Sequence, residues 1–149
     1  MNKRPMQIIS LVMVVVLLLG GMSVAEAANM STRASDYFWY TDAWATPTGN
    51  GSFIVEFDVS TTDTMKEVGA TQIVIYEQQS TGVYKSVKTF TRYNTTGMID
   101  TNCSCNYCRV SYSGTAGTKY YAVVTFYAKD ANGSETLKMT CLLYTSPSP

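Results

Sequence analysis

The residues best suited to chemistry are three closely spaced cysteines, Cys103, Cys105 and Cys108. Cys105-Asn106-Tyr107-Cys108 has the spacing of a redox or metal pair. Thioredoxin-type reactivity needs the first thiol at a helix N-terminus, where its pKa falls. Here the flanks carry no helical period, and the motif runs from a loop into a strand. Three thiolates can hold zinc with an outside ligand, but a structural site takes four protein ligands. The fourth cysteine, Cys141, belongs to an atypical C-terminal segment. The reading favoured for an exported chain is a local disulfide, Cys103–Cys108 or Cys105–Cys108. The remaining thiol would be free or available for a cysteine-linked dimer.

The 149 residues contain no histidine. That removes Ser-His-Asp and Cys-His nucleophiles, His-ligated zinc and imidazole acid–base catalysis. Glu56 and Asp58 form a carboxylate pair of the kind glycoside hydrolysis uses, but strand alternation puts both on a solvated face rather than in an apolar cleft. Asp130, Asn132, Ser134 and Glu135 offer oxygen ligands, yet Gly133 is misplaced for a calcium loop, so a hairpin turn is expected. No metal, cofactor or catalytic residue is assigned. The aromatic run Tyr37-Phe38-Trp39-Tyr40, followed by Trp44, has the best claim to recognition. Tyr37, Trp39 and Trp44 could stack on sugar rings or anchor a protein partner; the competing role is to cover an open end of the fold.

These residues must be positioned by strands. The composition is rich in Thr, Tyr, Val and Ser and poor in Leu, which suits a pleated, half-buried surface. Residues 28–51 read as irregular and aromatic, with room for one edge strand, and are ended by Pro47 and Gly49-Asn50-Gly51. Residues 52–59 alternate, with Phe53, Val55, Phe57 and Val59 on one face. A turn-rich connection leads to a strand at 71–78. The next strand, 83–93, is expected at an edge with Val83 and Val87 turned inward. Residues 94–106 read as a long loop and 108–112 as a short strand. Residues 119–129 alternate best, with Tyr120, Ala122, Val124, Phe126 and Ala128 together. Asp130-Ala131-Asn132-Gly133 then turns the chain into a return strand at 134–140. The expectation is an all-β antiparallel sandwich of about six to seven strands, occupying residues 52–140.

Both ends differ from this body. Lys3 and Arg4, the apolar run over residues 8–19, and Ala25-Glu26-Ala27 have the form of a signal peptide over residues 1–27. The run is shorter than the ~20 residues of a spanning helix, so no membrane span is expected after its removal. With Lys3, Arg4 and Glu26 set aside, nine basic residues face ten acidic ones. That balance gives no support for nucleic acid as a partner. Residues 141–149 look like the translation of a transposase adapter used in sequencing libraries, and are expected to be an artefact.

Gly117-Thr118-Lys119-Tyr120, leading through Val124 to Asp130-Ala131-Asn132-Gly133, resembles the F strand and F–G turn of fibronectin type III domains. The resemblance implies an immunoglobulin-like sandwich in which Tyr120 is the tyrosine-corner residue, its hydroxyl bonded to upstream backbone. The mature chain also resembles small secreted proteins of Gram-positive gut bacteria, through Arg33-Ala34-Ser35-Asp36-Tyr37 and Tyr121-Ala122-Val123-Val124-Thr125-Phe126-Tyr127-Ala128. That likeness supports the fold and adds no active site. The combined expectation is a secreted or cell-wall-associated, non-catalytic binding or structural module whose partner is an extracellular protein or glycan. The alternatives are a carbohydrate-binding module using the aromatic cluster and an exported thiol or metal protein using the cysteines.

Overall fold

The structure, a computed structural model, describes residues 35–144. The signal peptide expected at 1–27 lies outside the described residues. Within them the chain forms eight strands and no helix: β1 (Phe38–Gly49), β2 (Ser52–Met65), β3 (Glu67–Gln78), β4 (Tyr84–Thr91), β5 (Ile99–Asp100), β6 (Cys103–Ser113), β7 (Lys119–Lys129) and β8 (Ser134–Tyr144). They make two antiparallel sheets, one ordered β1-β2-β6 and the other β4-β3-β7-β8, with β5 paired to β3. The all-β sandwich is therefore the fold of this chain.

The core follows from alternation. On β2, Phe53, Val55, Phe57 and Val59 are fully buried; on β7, Tyr120, Ala122, Val124, Phe126 and Ala128 are equally enclosed. The two layers meet ring to ring. Phe57 stands edge-on to Phe126 at 5.7 Å, and Phe53 packs on Tyr120 at 5.2 Å. Each such buried ring stabilises the fold by about 1.5–3 kcal/mol through removal from water, with a further share from ring geometry.

Four expectations require correction. The segment read as irregular, with room for one edge strand, holds that edge strand as the twelve-residue β1, which runs through Pro47 because pairing with β2 overrides its poor alternation. The long loop expected to reach Asn106 ends earlier, and the short strand after it becomes the eleven-residue β6. Its inward positions are filled by Asn106 and Cys108 as well as Val110, so hydrophobicity alone does not mark it. Val83 and Val87 do not turn inward: they are 65% and 37% exposed, Val83 just before β4 and Val87 on it, and β4 is the last strand of its sheet among the described residues. Finally, Thr140 is no boundary in the sheet. β8 continues to Tyr144 in register with β7, with Cys141 and Leu143 buried and Leu142 outside.

Tyr120 ties the sandwich together at one end. The Thr115 N–H donates to its hydroxyl at 2.8 Å, and the hydroxyl donates to Glu77 Oε2 at 2.8 Å. Burial pushes its phenol above the ordinary range. The ring lies so close to Gly114 that an added Cβ would stand 2.8 Å from its Cζ and hydroxyl and 2.9 Å from the Gly51 carbonyl oxygen. Two losses are expected. Tyr120→Phe removes both the acceptor of the Thr115 N–H and the donor to Glu77 and should cost about 1–3 kcal/mol. Gly114→Ala overpacks the corner and should cost about 1–3 kcal/mol. Urea-unfolding midpoints of the two variants check this, and an unchanged midpoint for either contradicts the assignment.

Candidate functional site

Because β2 turns its odd residues into the core, its even residues Ile54, Glu56, Asp58 and Ser60 face out. Its two neighbours are pinned to it. Trp44 of β1 lies opposite Glu56, Asp42 opposite Asp58 and Tyr40 opposite Ser60. From the other side, Arg109 of β6 lies opposite Glu56 and Tyr107 opposite Asp58. The outer face of the three-stranded sheet thus carries Tyr40, Trp44 and Tyr107 around Asp42, Glu56 and Asp58.

Glu56 organises this face. One carboxylate oxygen accepts the indole N–H of Trp44 at 2.9 Å, and the other accepts a short hydrogen bond from the Tyr107 hydroxyl. The two rings sit 6.4 Å apart, inclined by 32°. Each carboxylate oxygen has a second lone pair, so the group that orients the rings can still accept from a ligand. The hydrogen bond to Glu56, before any burial, pushes the Tyr107 phenol upward. Tyr40 donates to Asp42 at 3.3 Å. Asp42 and Asp58 place two carboxylates directly across a strand pair, an arrangement that costs stability. Among the described residues the one ion pair is Glu67–Arg92 on the other sheet; Arg109, opposite Glu56, is the cation of this face and makes no ion pair with either aspartate.

The three aromatics expected to act together are separated. Tyr37 donates through its hydroxyl to Asp130 at 3.1 Å, and its backbone N–H donates to Glu135. It serves as a clasp on the β7–β8 turn. Trp39 falls at the register shift between Phe38 and Tyr40 and is 78% exposed. Only Trp44 lies in the cluster. Tyr40, Glu56 and Tyr107 complete it; Tyr107 escapes the sequence reading because it falls between the expected loop at 94–106 and the expected short strand at 108–112. Period-two counting from Cys103 would have put Tyr107 and Arg109 on the outer face.

The cysteine expectation also changes. Among the described residues all four cysteines are free thiols. Cys103 and Cys105 lie on the outer side of β6, with their sulfurs 3.9 Å apart, whereas Cys108 points into the core and is 8% exposed. Cys108 cannot bridge to either neighbour without unpairing the strand, since odd and even residues point to opposite faces. Burial raises the Cys108 and Cys141 thiols above their usual range. Among the described residues no group of three or more His, Cys, Asp or Glu side chains is placed to hold a metal. At the β7–β8 turn, Asp130 accepts from the Asn132 and Gly133 backbone, which lowers its carboxyl below the usual range. Asp130 thus closes the hairpin with its own carboxylate.

On the opposite sheet Tyr76 stacks on Tyr121 at 4.6 Å, with Tyr84 leaning in at 4.9 Å. These phenols fill one another's faces and have no carboxylate among them. Their cross-strand packing stabilises the sheet.

No family model matches the chain, and no curated protein matches it. Among solved structures, one similar to it is the crystal structure of a family 76 glycoside hydrolase from a bovine Bacteroides thetaiotaomicron strain. The identity is 14% and the TM-score 0.33, with 74% of this chain and 21% of that chain covered.

The Glu56–Tyr107 contact has a pH signature. Because the folded pKa of Tyr107 is raised, the contact contributes fully below the unfolded value of about 10 and is lost as pH rises through the folded one. Trp44 emission, read in a Trp39→Phe background, should therefore change at alkaline pH beyond the midpoint of free tyrosine. Tyr107→Phe should abolish that change; its persistence would show that Tyr107 does not control the indole.

Proposed function

We propose that this chain is an extracellular, non-catalytic binding module, and that the outer face of its β1-β2-β6 sheet takes a neutral glycan. Export rests on the leader-like residues 1–27. A fibronectin-like scaffold is supported by the strand order and by the Tyr120 hydroxyl bonded five residues upstream. The observation that carries the binding reading is the pair of hydrogen bonds by which Glu56 holds Trp44 and Tyr107 on one open face. Such a face offers what a sugar needs: aromatic carbon for the C–H faces of the ring and carboxylate acceptors for its hydroxyls. Asp42, Glu56 and Asp58 outnumber Arg109 on this face, and the net negative charge favours neutral polymers over uronates or nucleic acid. With no histidine in the chain and both candidate carboxylates of β2 on an open face, catalysis has little support.

Affinity electrophoresis against neutral polysaccharides tests the reading. Retardation is expected for the wild type. Trp44→Ala should weaken it by roughly 30-fold, the scale of an aromatic hot spot near 2 kcal/mol. Glu56→Gln should weaken it about tenfold, through loss of a charged acceptor. Tyr76→Ala, on the other sheet, should bind as wild type. Absence of retardation by every neutral polymer, or retardation indifferent to Trp44→Ala, rejects this face as the site.

A further inference from the structure

Cys103 and Cys105 remain outside that function, and their placement has chemistry of its own. They occupy alternate positions of β6, an edge strand, so their side chains leave the same face. The sulfurs stand 3.9 Å apart. The Cys103 thiol donates to the Cys105 carbonyl at 2.8 Å, and the Cys105 N–H donates back to the Cys103 sulfur at 3.4 Å. Cys105 is exposed and Cys103 half-buried.

The strand is not tightly held here. β2 and β6 pair regularly up to Ser60–Cys105, then resume at Met65–Cys103, with residues 61–64 of β2 bulging between. In place of the ladder, the buried Thr61 hydroxyl shares its one proton between the Asp63 carbonyl at 2.7 Å and the Ser104 carbonyl at 3.0 Å. This anchors the residue between the cysteines while freeing the peptide groups around it to pucker. That freedom matters because alternate residues of an extended strand lie about 6.6 Å apart, near the upper limit of about 6.8 Å for a bridged pair.

We propose that Cys103 and Cys105 form a redox-active dithiol, which closes to an intrastrand disulfide by exchange with an exposed organic disulfide as oxidant. The exposed Cys105 thiolate attacks one sulfur of the substrate, R–S–S–R. That bond breaks, one R–S⁻ leaves, and Cys105–S–S–R forms. Cys103 then loses its proton and attacks the Cys105 sulfur, expelling the second R–S⁻. The two leaving thiolates take up the two protons released by the cysteines. The protein loses two electrons and the substrate becomes two thiols. The raised pKa of Cys105, caused first by its hydrogen bond with Cys103, makes the first step accelerate as pH climbs through the thiol range. Closure across two strand positions strains the product, so a monothiol reopens it readily. Cys108 and Cys141, enclosed in the core, take no part.

The test uses the reduced full-length chain and oxidised glutathione, followed by intact mass and peptide mapping. The wild type should lose two hydrogens, with the new bond mapped to Cys103–Cys105, and reduced glutathione should restore the thiols. Cys103→Ser should stop at the first step and accumulate a single glutathione adduct on Cys105. Cys105→Ser should react at least tenfold more slowly. A wild-type chain that retains the glutathione adduct, oxidises at Cys108, or forms covalent dimers instead of closing would overturn the proposal. Each readout is independent of glycan binding; Cys105→Ser alters an exposed side chain, and Cys103→Ser, whose side chain touches the edge of the core, is read only after its urea-unfolding midpoint is shown to match the wild type.

Discussion

Everything in this fold hangs on the face assignment of β2. It is the central strand of its sheet, paired along both edges, and its odd residues are committed to the core by Phe53, Val55, Phe57 and Val59. A slip of one residue would turn all four rings and branched chains to water, a loss of several kcal/mol, so the register has no near competitor. Once it is set, Glu56 must face outward, and β1 and β6 inherit their own faces through hydrogen bonding to β2. The Trp44–Glu56–Tyr107 cluster is thus a by-product of core packing on the opposite side of the same strand.

The same division of faces separates two kinds of cysteine. Cys108 and Cys141 behave as small apolar side chains, their thiols raised by burial. Cys103 and Cys105 face each other, Cys105 open to solvent and Cys103 half-buried at the edge of the core. Sequence spacing had suggested Cys105 and Cys108 as partners because four residues read as a motif. In an extended strand an odd offset means opposite faces, so the even offset of Cys103 and Cys105 is the one that brings sulfurs together.

Legibility in the sequence tracked how strongly hydrophobicity alternated. β2 and β7 could be read residue by residue, including Phe53 to Val59 and Tyr120 to Ala128. β6 could not, because its inward side begins with Asn106, which is buried with its amide donating to the Gly97 carbonyl. A buried polar residue whose amide nitrogen is met by a neighbouring loop, while its Oδ1 has no partner among the described residues, has no local signature. The aromatic site was half legible. Trp44 and the carboxylates of β2 were recognised separately, but their meeting with Tyr107 depends on β2 pairing with a strand some fifty residues later. Tyr37 misled because aromatic clustering in sequence ignores the register shift that sends Tyr37, Trp39 and Trp44 to three different places.

The clasp at the N-terminal edge has a consequence for how the chain reaches this state. Ser35 donates to Glu135 across 100 residues of sequence, and Tyr37 to Asp130 across 93. The first described residues are therefore seated only after the β7–β8 hairpin exists. Ordering them early would demand closure of a very large loop. A chain emerging from its N-terminus can pair β1 with β2 at once as a local hairpin, but Ser35 and Tyr37 stay unclasped until almost all of it has been delivered. Delivery interrupted before β6 leaves the far edge of β2 unpaired beside Trp44, a combination prone to self-association.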